Sequence, residues 1–170
     1  MYAELLFLRI VHVLGAIIWA GTSLFIALFL MPALGTVGPA AGPVMGALAK
    51  RKLFTIVPIV AVIVMLAGLR LMWISSNGYS AAYFATHAGI AYSIGAACAI
   101  AAFIVFMTVS HPAIGRSMQL GQQIAQASEA DKGALQAQMG AVRAKAAKAA
   151  IASALLLTAT AVAMSIGRYV

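Results

Sequence analysis

The sequence predicts an all-α integral membrane protein, a single domain built as a four-helix bundle. Hydrophobic residues make up 64% of the 170 residues and charged residues only 8%, whereas a soluble domain carries roughly 25% charged residues. So few charges cannot cover a water-facing surface, which excludes an ordinary soluble domain and a nucleic-acid-binding protein. Four apolar stretches also reach the length of about 20 residues that a helix needs to cross a bilayer.

These stretches define the predicted spans, which run from about residue 5 to 31, 53 to 74, 82 to 109 and 147 to 167. We expect the first span to end at Pro32 and the third at His111 and Pro112, because proline lacks the N–H group that continues a helix. No segment shows the period-2 alternation that is typical of a half-buried strand. The fold is therefore predicted to be helical throughout.

The connections between the spans differ in character. Glycines and prolines recur through residues 32–49, which predicts an irregular first loop. The sequence Ser75-Ser76-Asn77-Gly78 predicts a tight turn, so that spans two and three are antiparallel neighbours.

The third connection, residues 112–146, is the polar region and is predicted to form a helical hairpin. Pro112 suits the first turn of one helix. Ser128, followed by the acidic residues Glu129 and Asp131, is typical of the start of a second helix. We expect that second helix to continue without a break into span four.

Positive charges determine the predicted orientation. The first and third loops lie on the same side of the membrane and hold eight of the eleven Lys and Arg residues, so the positive-inside rule places them in the cytoplasm. Both termini are then outside, and the protein is predicted to be a multi-pass protein of the plasma (inner) membrane, with the lipid bilayer as its partner. The small residues Ala91, Gly95 and Ala99 form a stripe that lets two helices pack closely. Through small-residue faces of this kind we also expect self-association or binding to a partner in a membrane complex.

Few strongly polar side chains fall within the spans, and they gather near the predicted outer ends. Burying an ionisable group in a membrane is costly, so each such group is a functional hypothesis. His12 lies about 10 Å and His87 about 8–9 Å from the outer surface, at about 1.5 Å per residue. The same layer holds three arginines and two methionines, namely Arg9, Arg70, Arg168, Met72 and Met164.

Two imidazoles at one depth in a helical bundle suit two kinds of site. They could be the axial ligands of haem b, with the arginines Arg9, Arg70 and Arg168 pairing with its propionates. They could also bind copper with thioether help from Met72 or Met164. A purely structural interpretation is equally open, in which each histidine satisfies a backbone carbonyl and each arginine reaches lipid headgroups.

The first span resembles the opening helix of copper-resistance-D-type membrane proteins. The resemblance rests on His12 followed by Trp19 and Gly21, and on a second span that is entered by Arg51-Lys52-Leu53-Phe54 and ends Leu66-Ala67-Gly68-Leu69-Arg70-Leu71. The same histidine-then-tryptophan helix is similar to that of the four-span, haem-binding protoporphyrinogen oxidases of bacteria. These resemblances imply a haem- or copper-handling membrane protein with His12 as a ligand.

The sequence thus predicts a haem-b-binding membrane protein that acts in electron transfer or haem handling near the outer face. His12 and His87 would be its axial ligands. The alternatives are a copper-binding or copper-transporting protein and a non-catalytic accessory subunit of a membrane complex. The chain has no HExxH, GxSxG or Walker motif and no paired intramembrane carboxylates. The sequence therefore names no particular enzyme class, and whether the protein is an enzyme is left open.

A reporter fused to the C-terminus tests the predicted orientation. We expect alkaline phosphatase activity from that fusion and no fluorescence from a cytoplasm-dependent reporter, because the C-terminus is predicted to lie outside. A matched fusion within the hairpin, after Ala127, should give the opposite result. A cytoplasmic C-terminus would contradict the charge argument and the placement of both histidines near the outer face.

Overall fold

The computed structural model describes residues 2–170, apart from the side chain of Pro39. Within that range all regular structure is helical. The helices are α1 (Tyr2–Thr36), α2 (Ala41–Lys50), α3 (Leu53–Ser75), α4 (Ala81–Phe84), α5 (His87–Gln126) and α6 (Glu129–Ile166). Four of them, α1, α3, α5 and α6, are long and apolar enough to cross a membrane. The predicted all-α class and the four membrane-length helices are therefore confirmed.

The four long helices form a ring around a core of small side chains. Helix α1 packs on α3 and α5 packs on α6, and the two pairs meet where α1 contacts α6 and α3 contacts α5. Trp19 fills the centre and meets Phe103 edge-on, with 6.4 Å between the ring centroids. The buried core consists of Trp19, Val57, Ala61, Val64, Ala99, Ala102 and Leu157. Small residues here let the helix backbones approach closely, as is typical of membrane bundles.

The stripe of small residues on α5 is used within the chain. Ala91, Gly95 and Ala99 are all buried, and a Cβ atom built on Gly95 would lie 3.0 Å from Cε of Met164 on α6. This stripe therefore forms the α5–α6 contact. The close helix packing for which the stripe was considered is therefore found within the chain, and self-association stays a prediction.

An internal repeat relates the α1–α3 pair to the α5–α6 pair. Gly95 and Pro112 of α5 stand 80 positions after Gly15 and Pro32 of α1. A π-helical segment occurs in each helix at this same offset, at Ile26–Leu30 and at Phe106–Ser110. In the partner helices, Gly68 of α3 and Gly167 just after α6 each lie against a ring of the facing helix. The two helix pairs of the bundle thus share these packing features.

The prediction that prolines end the first and third helices is wrong. Helix α1 continues past Pro32 to Thr36, and α5 continues past Pro112 to Gln126. In both cases the π-helical segment immediately precedes the residue before the proline. A π segment widens the helix locally, which accommodates the pyrrolidine ring and the missing N–H group that would otherwise break it.

Most of the first loop is also helical, although an irregular loop was predicted. Residues 32–36 complete α1, a short 3-10 turn covers Gly38–Ala40, and α2 follows. Gly38 has a φ of +56°, a conformation that glycine adopts without steric cost. The chain therefore changes direction at Gly38 and then resumes a helix.

The polar segment forms the predicted helical hairpin. Residues His111–Gln126 of α5 pack antiparallel against the first half of α6. Leu120 is fully buried between them, and Nη2 of Arg116 donates a hydrogen bond to Oε1 of Gln138 at 3.4 Å. Helix α6 has 38 residues, about 57 Å at 1.5 Å per residue, so it exceeds the hydrocarbon thickness of about 30 Å. One long helix was predicted here and is confirmed.

The opposite end of the bundle is closed by the turn over residues 76–80, and we call the two ends the hairpin end and the turn end. The turn uses three consecutive residues with positive φ, Asn77, Gly78 and Tyr79. The hydroxyl of Tyr79 donates to the carbonyl oxygen of Leu69 at 2.9 Å. Thr86 then caps α5 by accepting a hydrogen bond from the N–H of Gly89 at 3.0 Å. For this reason α5 begins at His87 and not near residue 82, as predicted for the span.

Gly15 and Gly21 both belong to α1, and comparing them tests how closely α1 packs against α3. A Cβ atom at Gly15 would collide with Cγ2 of Val64, whereas one at Gly21 would meet nothing within 4 Å. We expect Gly15→Ala to lower the free energy of unfolding by about 1–3 kcal/mol, as overpacking does. Gly21→Ala should leave it unchanged or slightly raised.

Thermal or denaturant unfolding in detergent measures this difference. Gly95→Ala, the equivalent change in the second half, should cost less than Gly15→Ala because the flexible tip of Met164 can move aside. Equal stability of the Gly15 and Gly21 variants would contradict the close α1–α3 contact.

Candidate functional site

His12 lies in the interface between α1 and α3. Its Nδ1 atom is 2.9 Å from the carbonyl oxygen of Val64. Because a carbonyl oxygen only accepts, Nδ1 must carry the proton, and the neutral ring then has its lone pair on Nε2. Nε2 has no hydrogen-bond partner among the described residues, and it is not enclosed in the interior. Metal-binding histidines commonly donate their second ring nitrogen to a backbone carbonyl, and the purely structural interpretation of His12 predicts the same bond.

Gly68 makes room for the imidazole on the facing helix. A Cβ atom built there would lie 2.8 Å from Cε1 and 3.1 Å from Nδ1 of His12. Both distances are shorter than an ordinary van der Waals contact, so any larger residue at this position would displace the ring. The glycine and the hydrogen bond to Val64 together fix where the imidazole lies.

The second half of the repeat has the same construction with a different ring. Tyr92 stands 80 positions after His12, and a Cβ atom on Gly167, the counterpart of Gly68, would lie 2.9 Å from Cζ of Tyr92. Each half therefore holds one ring against one glycine. Of these two rings, only that of His12 carries nitrogen atoms. The spacing of the glycines was the signal in the sequence that could have revealed this correspondence.

His87 occupies a different part of the molecule from His12. It is the first residue of α5, its side chain is exposed, and it lines an open groove between α5 and α6. Within the repeat it is five residues before Tyr92, about 7.5 Å nearer the turn end at 1.5 Å per residue. The pairing of His12 and His87 on one haem stays a prediction.

The arginines of the turn end have unequal environments. Nε and Nη2 of Arg70 donate to Oε1 of Glu4 at 2.8 and 2.6 Å, and the Arg70 guanidinium lies 4.4 Å from the ring centroid of Trp73. Arg70 is thus already paired with a carboxylate. Arg9 and Arg168 are exposed and make no ion pair with any residue in the range 2–170.

The two candidate thioether ligands, Met72 and Met164, lie in different halves of the bundle. Met72 lies four residues after Gly68, which places it on the α3 face that meets α1. Met164 packs on Gly95 in the other half of the bundle. Within residues 2–170 there is no cluster of three or more His, Cys, Asp or Glu side chains that could hold a metal ion. Of the two methionines, Met72 is the one on the helix that faces His12.

No protein-family model, curated protein or solved structure matches this chain. The function must therefore be inferred from the chemistry of His12 and its surroundings.

Gly68→Ala tests the position of the imidazole. We expect the added methyl group to push the His12 ring away from α3 and to weaken the hydrogen bond to Val64. Nitrogen-15 NMR of the histidine ring should then show a loss of the single tautomer with Nδ1–H. Gly21→Ala is the matched control, because its methyl group would enter open space. An unchanged tautomer in the Gly68 variant would contradict the geometry described for this site.

Proposed function

We propose that the protein is a haem-handling protein of the plasma membrane that binds haem b through His12. The observation that carries this proposal is the hydrogen bond from Nδ1 to the carbonyl oxygen of Val64. It orients the ring and leaves Nε2 available as a ligand, which is the form of histidine that binds haem iron. The resemblance of the first helix to haem-binding and copper-handling membrane proteins supports His12 as a ligand.

A single well-placed ligand favours handling of haem over permanent electron transfer. Two axial histidines would give a firmly held, fully coordinated iron. His12 lies against α3, however, whereas His87 lines the groove between α5 and α6. One accessible imidazole leaves a coordination position open and binds less tightly, which suits uptake and release. The electron-transfer alternative requires the paired ligation by His12 and His87 that the sequence predicted.

Arg9 is the arginine best suited to a haem propionate. It lies three residues before His12, on a neighbouring position of the same helix face, and it has no carboxylate partner among the described residues. Arg70 is less suited because it already pairs with Glu4. This differs from the sequence analysis, in which Arg9, Arg70 and Arg168 were equivalent candidates.

The proposed orientation places the His12 site near the outer face. The basic residues Lys50, Arg51 and Lys52 lie at the hairpin end of α3, and the basic residues of the hairpin lie beyond it. The positive-inside rule assigns this end to the cytoplasm. His12 would then face the outer leaflet, where a handling protein would meet haem arriving from outside the membrane.

Copper is the second candidate, and Met72 is the observation that favours it. Met72 shares a helix face with Gly68, so a thioether could approach the imidazole from one turn away. A soft thioether and an imidazole together suit copper. A third possibility, an accessory subunit of a membrane complex, would use the bond between His12 and Val64 only to tie α1 to α3.

Substitutions at the three histidines test the proposal on protein purified after growth with haem precursor. We expect His12→Ala to abolish the Soret absorbance, since the ligand is removed, and His87→Ala and His111→Ala to retain it. His12→Gln is the matched control for stability, because its amide can still donate to Val64 but is a poor haem ligand. Metal analysis of the same samples separates haem from copper.

The haem content of each variant distinguishes single ligation by His12 from paired ligation. Loss of haem from His12→Gln with an unchanged melting temperature supports ligation by His12. Loss of haem from His87→Ala would overturn single ligation and favour the paired-ligand, electron-transfer alternative. A colourless wild-type protein that contains copper, or one that contains no metal after reconstitution with haemin, would overturn the haem proposal.

A further inference from the structure

The hairpin end of the bundle carries a layer of positive charge at the level where the hydrocarbon core of a bilayer would end. Helix α3 has 23 residues, about 35 Å at 1.5 Å per residue, so it spans a core of about 30 Å and begins at its edge. On α6, about 20 residues counted back from Ile166 reach the same edge near residue 147. We call the Lys and Arg residues within about 6 Å of this edge along the helices the basic collar: Lys50, Arg51, Lys52, Arg143, Lys145 and Lys148.

The residues of the basic collar have no anionic partner within the chain. All of them are exposed, and none forms an ion pair with another residue in the range 2–170. The three acidic residues lie elsewhere, because Glu4 is at the turn end, and Glu129 and Asp131 are at the tip of the hairpin. Asp131 is about 18 Å beyond Arg143, at 1.5 Å per residue. Like charges at one level repel one another, so anions from outside the chain must neutralise them.

Lys52 carries its charge at a position where local structure favours other residues. It lies between α2 and α3 with a φ of +58°, which costs a residue with a Cβ atom and suits glycine. It is also the N-cap of α3 and makes no side-chain capping bond, although Ser, Thr, Asp and Asn would cap the helix there. Its charge has the wrong sign for the positive end of the helix dipole. An anion beside Lys52 would offset this electrostatic cost.

We propose that the basic collar binds the headgroups of anionic phospholipids on two opposite sides of the bundle. Lys50, Arg51 and Lys52 belong to the junction of α2 and α3, and the other three residues belong to α6. Helices α3 and α6 each contact α1 and α5 and so occupy opposite corners of the ring. The two groups of cations therefore meet different lipids. Each Lys or Arg beside a membrane surface strengthens the binding of anionic lipid by about fivefold.

Charge and position together distinguish anionic lipid from the other anionic or phosphate-bearing partners. A zwitterionic phospholipid brings its own ammonium group to the collar, which the cations repel. A soluble acidic protein would approach along the outer hairpin, where Glu129 and Asp131 would repel it. The long side chains of the collar can instead reach lipid phosphates at the membrane edge, as lysine and arginine commonly do.

This proposal does not rest on haem binding. The haem site was placed at His12, on the half of α1 nearer the turn end, and the basic collar contains none of the residues assigned to that site. The proposal also does not depend on which side of the membrane the hairpin occupies, because a nanodisc presents the same lipids on both faces.

Native mass spectrometry of the full chain, released from nanodiscs of equal phosphatidylglycerol and phosphatidylethanolamine, tests the collar. We expect phosphatidylglycerol to be enriched among the lipids that stay bound. The double variant Lys145→Gln with Lys148→Gln should lower this preference by about tenfold or more, because two charges are removed from one side. Arg116→Gln with Lys132→Gln is the matched control, since it removes the same charge from the outer hairpin, and it should leave the preference unchanged.

Lys52→Asn separates the charge from the fold on the other side of the bundle. Asparagine tolerates the left-handed conformation and can cap α3, so the melting temperature in phosphatidylethanolamine nanodiscs should be unchanged or raised. The preference for phosphatidylglycerol should nevertheless fall by about fivefold. Equal retention of the two lipids by the wild-type chain, or an equal loss of preference in the collar and control double variants, would overturn the proposal. Displacement of the lipid by inorganic phosphate would also overturn it, since the collar would then bind anions in general.

Discussion

The close contact between α1 and α3 is the constraint on which the arrangement of the site depends. Gly15 lets Val64 approach α1, and Gly68 lets the imidazole of His12 lie against α3. At this separation, Nδ1 of His12 reaches the carbonyl oxygen of Val64. In a membrane, where apolar side chains gain little by leaving lipid, such close packing and interhelical hydrogen bonding are what hold helices together. The same contact therefore stabilises the first half of the bundle and orients its imidazole.

Much of the fold could be predicted from composition and hydropathy, because the bilayer imposes a simple rule on length and polarity. The four long helices and the hairpin follow from that rule. The prolines were misleading because the rule that proline ends a helix assumes α-helical geometry. At Ile26–Leu30 and Phe106–Ser110 the helix widens instead, and no local sequence pattern shows in advance that it will do so.

The candidate site could be predicted only in part. The depth of His12 follows from its position in the first span, but its hydrogen bond to Val64 depends on how α1 rotates against α3. The ion pair between Arg70 and Glu4 joins residues on separate helices, and counting residues from each helix end does not show which side chains face one another. The start of α5 at His87 depends on the cap that Thr86 provides, which hydropathy does not show. The helices themselves could be predicted from the sequence, but the side-chain contacts between helices could not.

The repeat also bears on how the chain assembles. In each half, two helices pack through glycines and alanines, and in the α5–α6 half the hairpin keeps the two helices adjacent along the chain. Such local contacts carry a small loop-closure cost and form quickly. Each half can thus form as a helical pair before the two halves meet. The ring of four helices would then form by docking two pairs through the α1–α6 and α3–α5 contacts, and the residues that face outward before docking would become the core around Trp19.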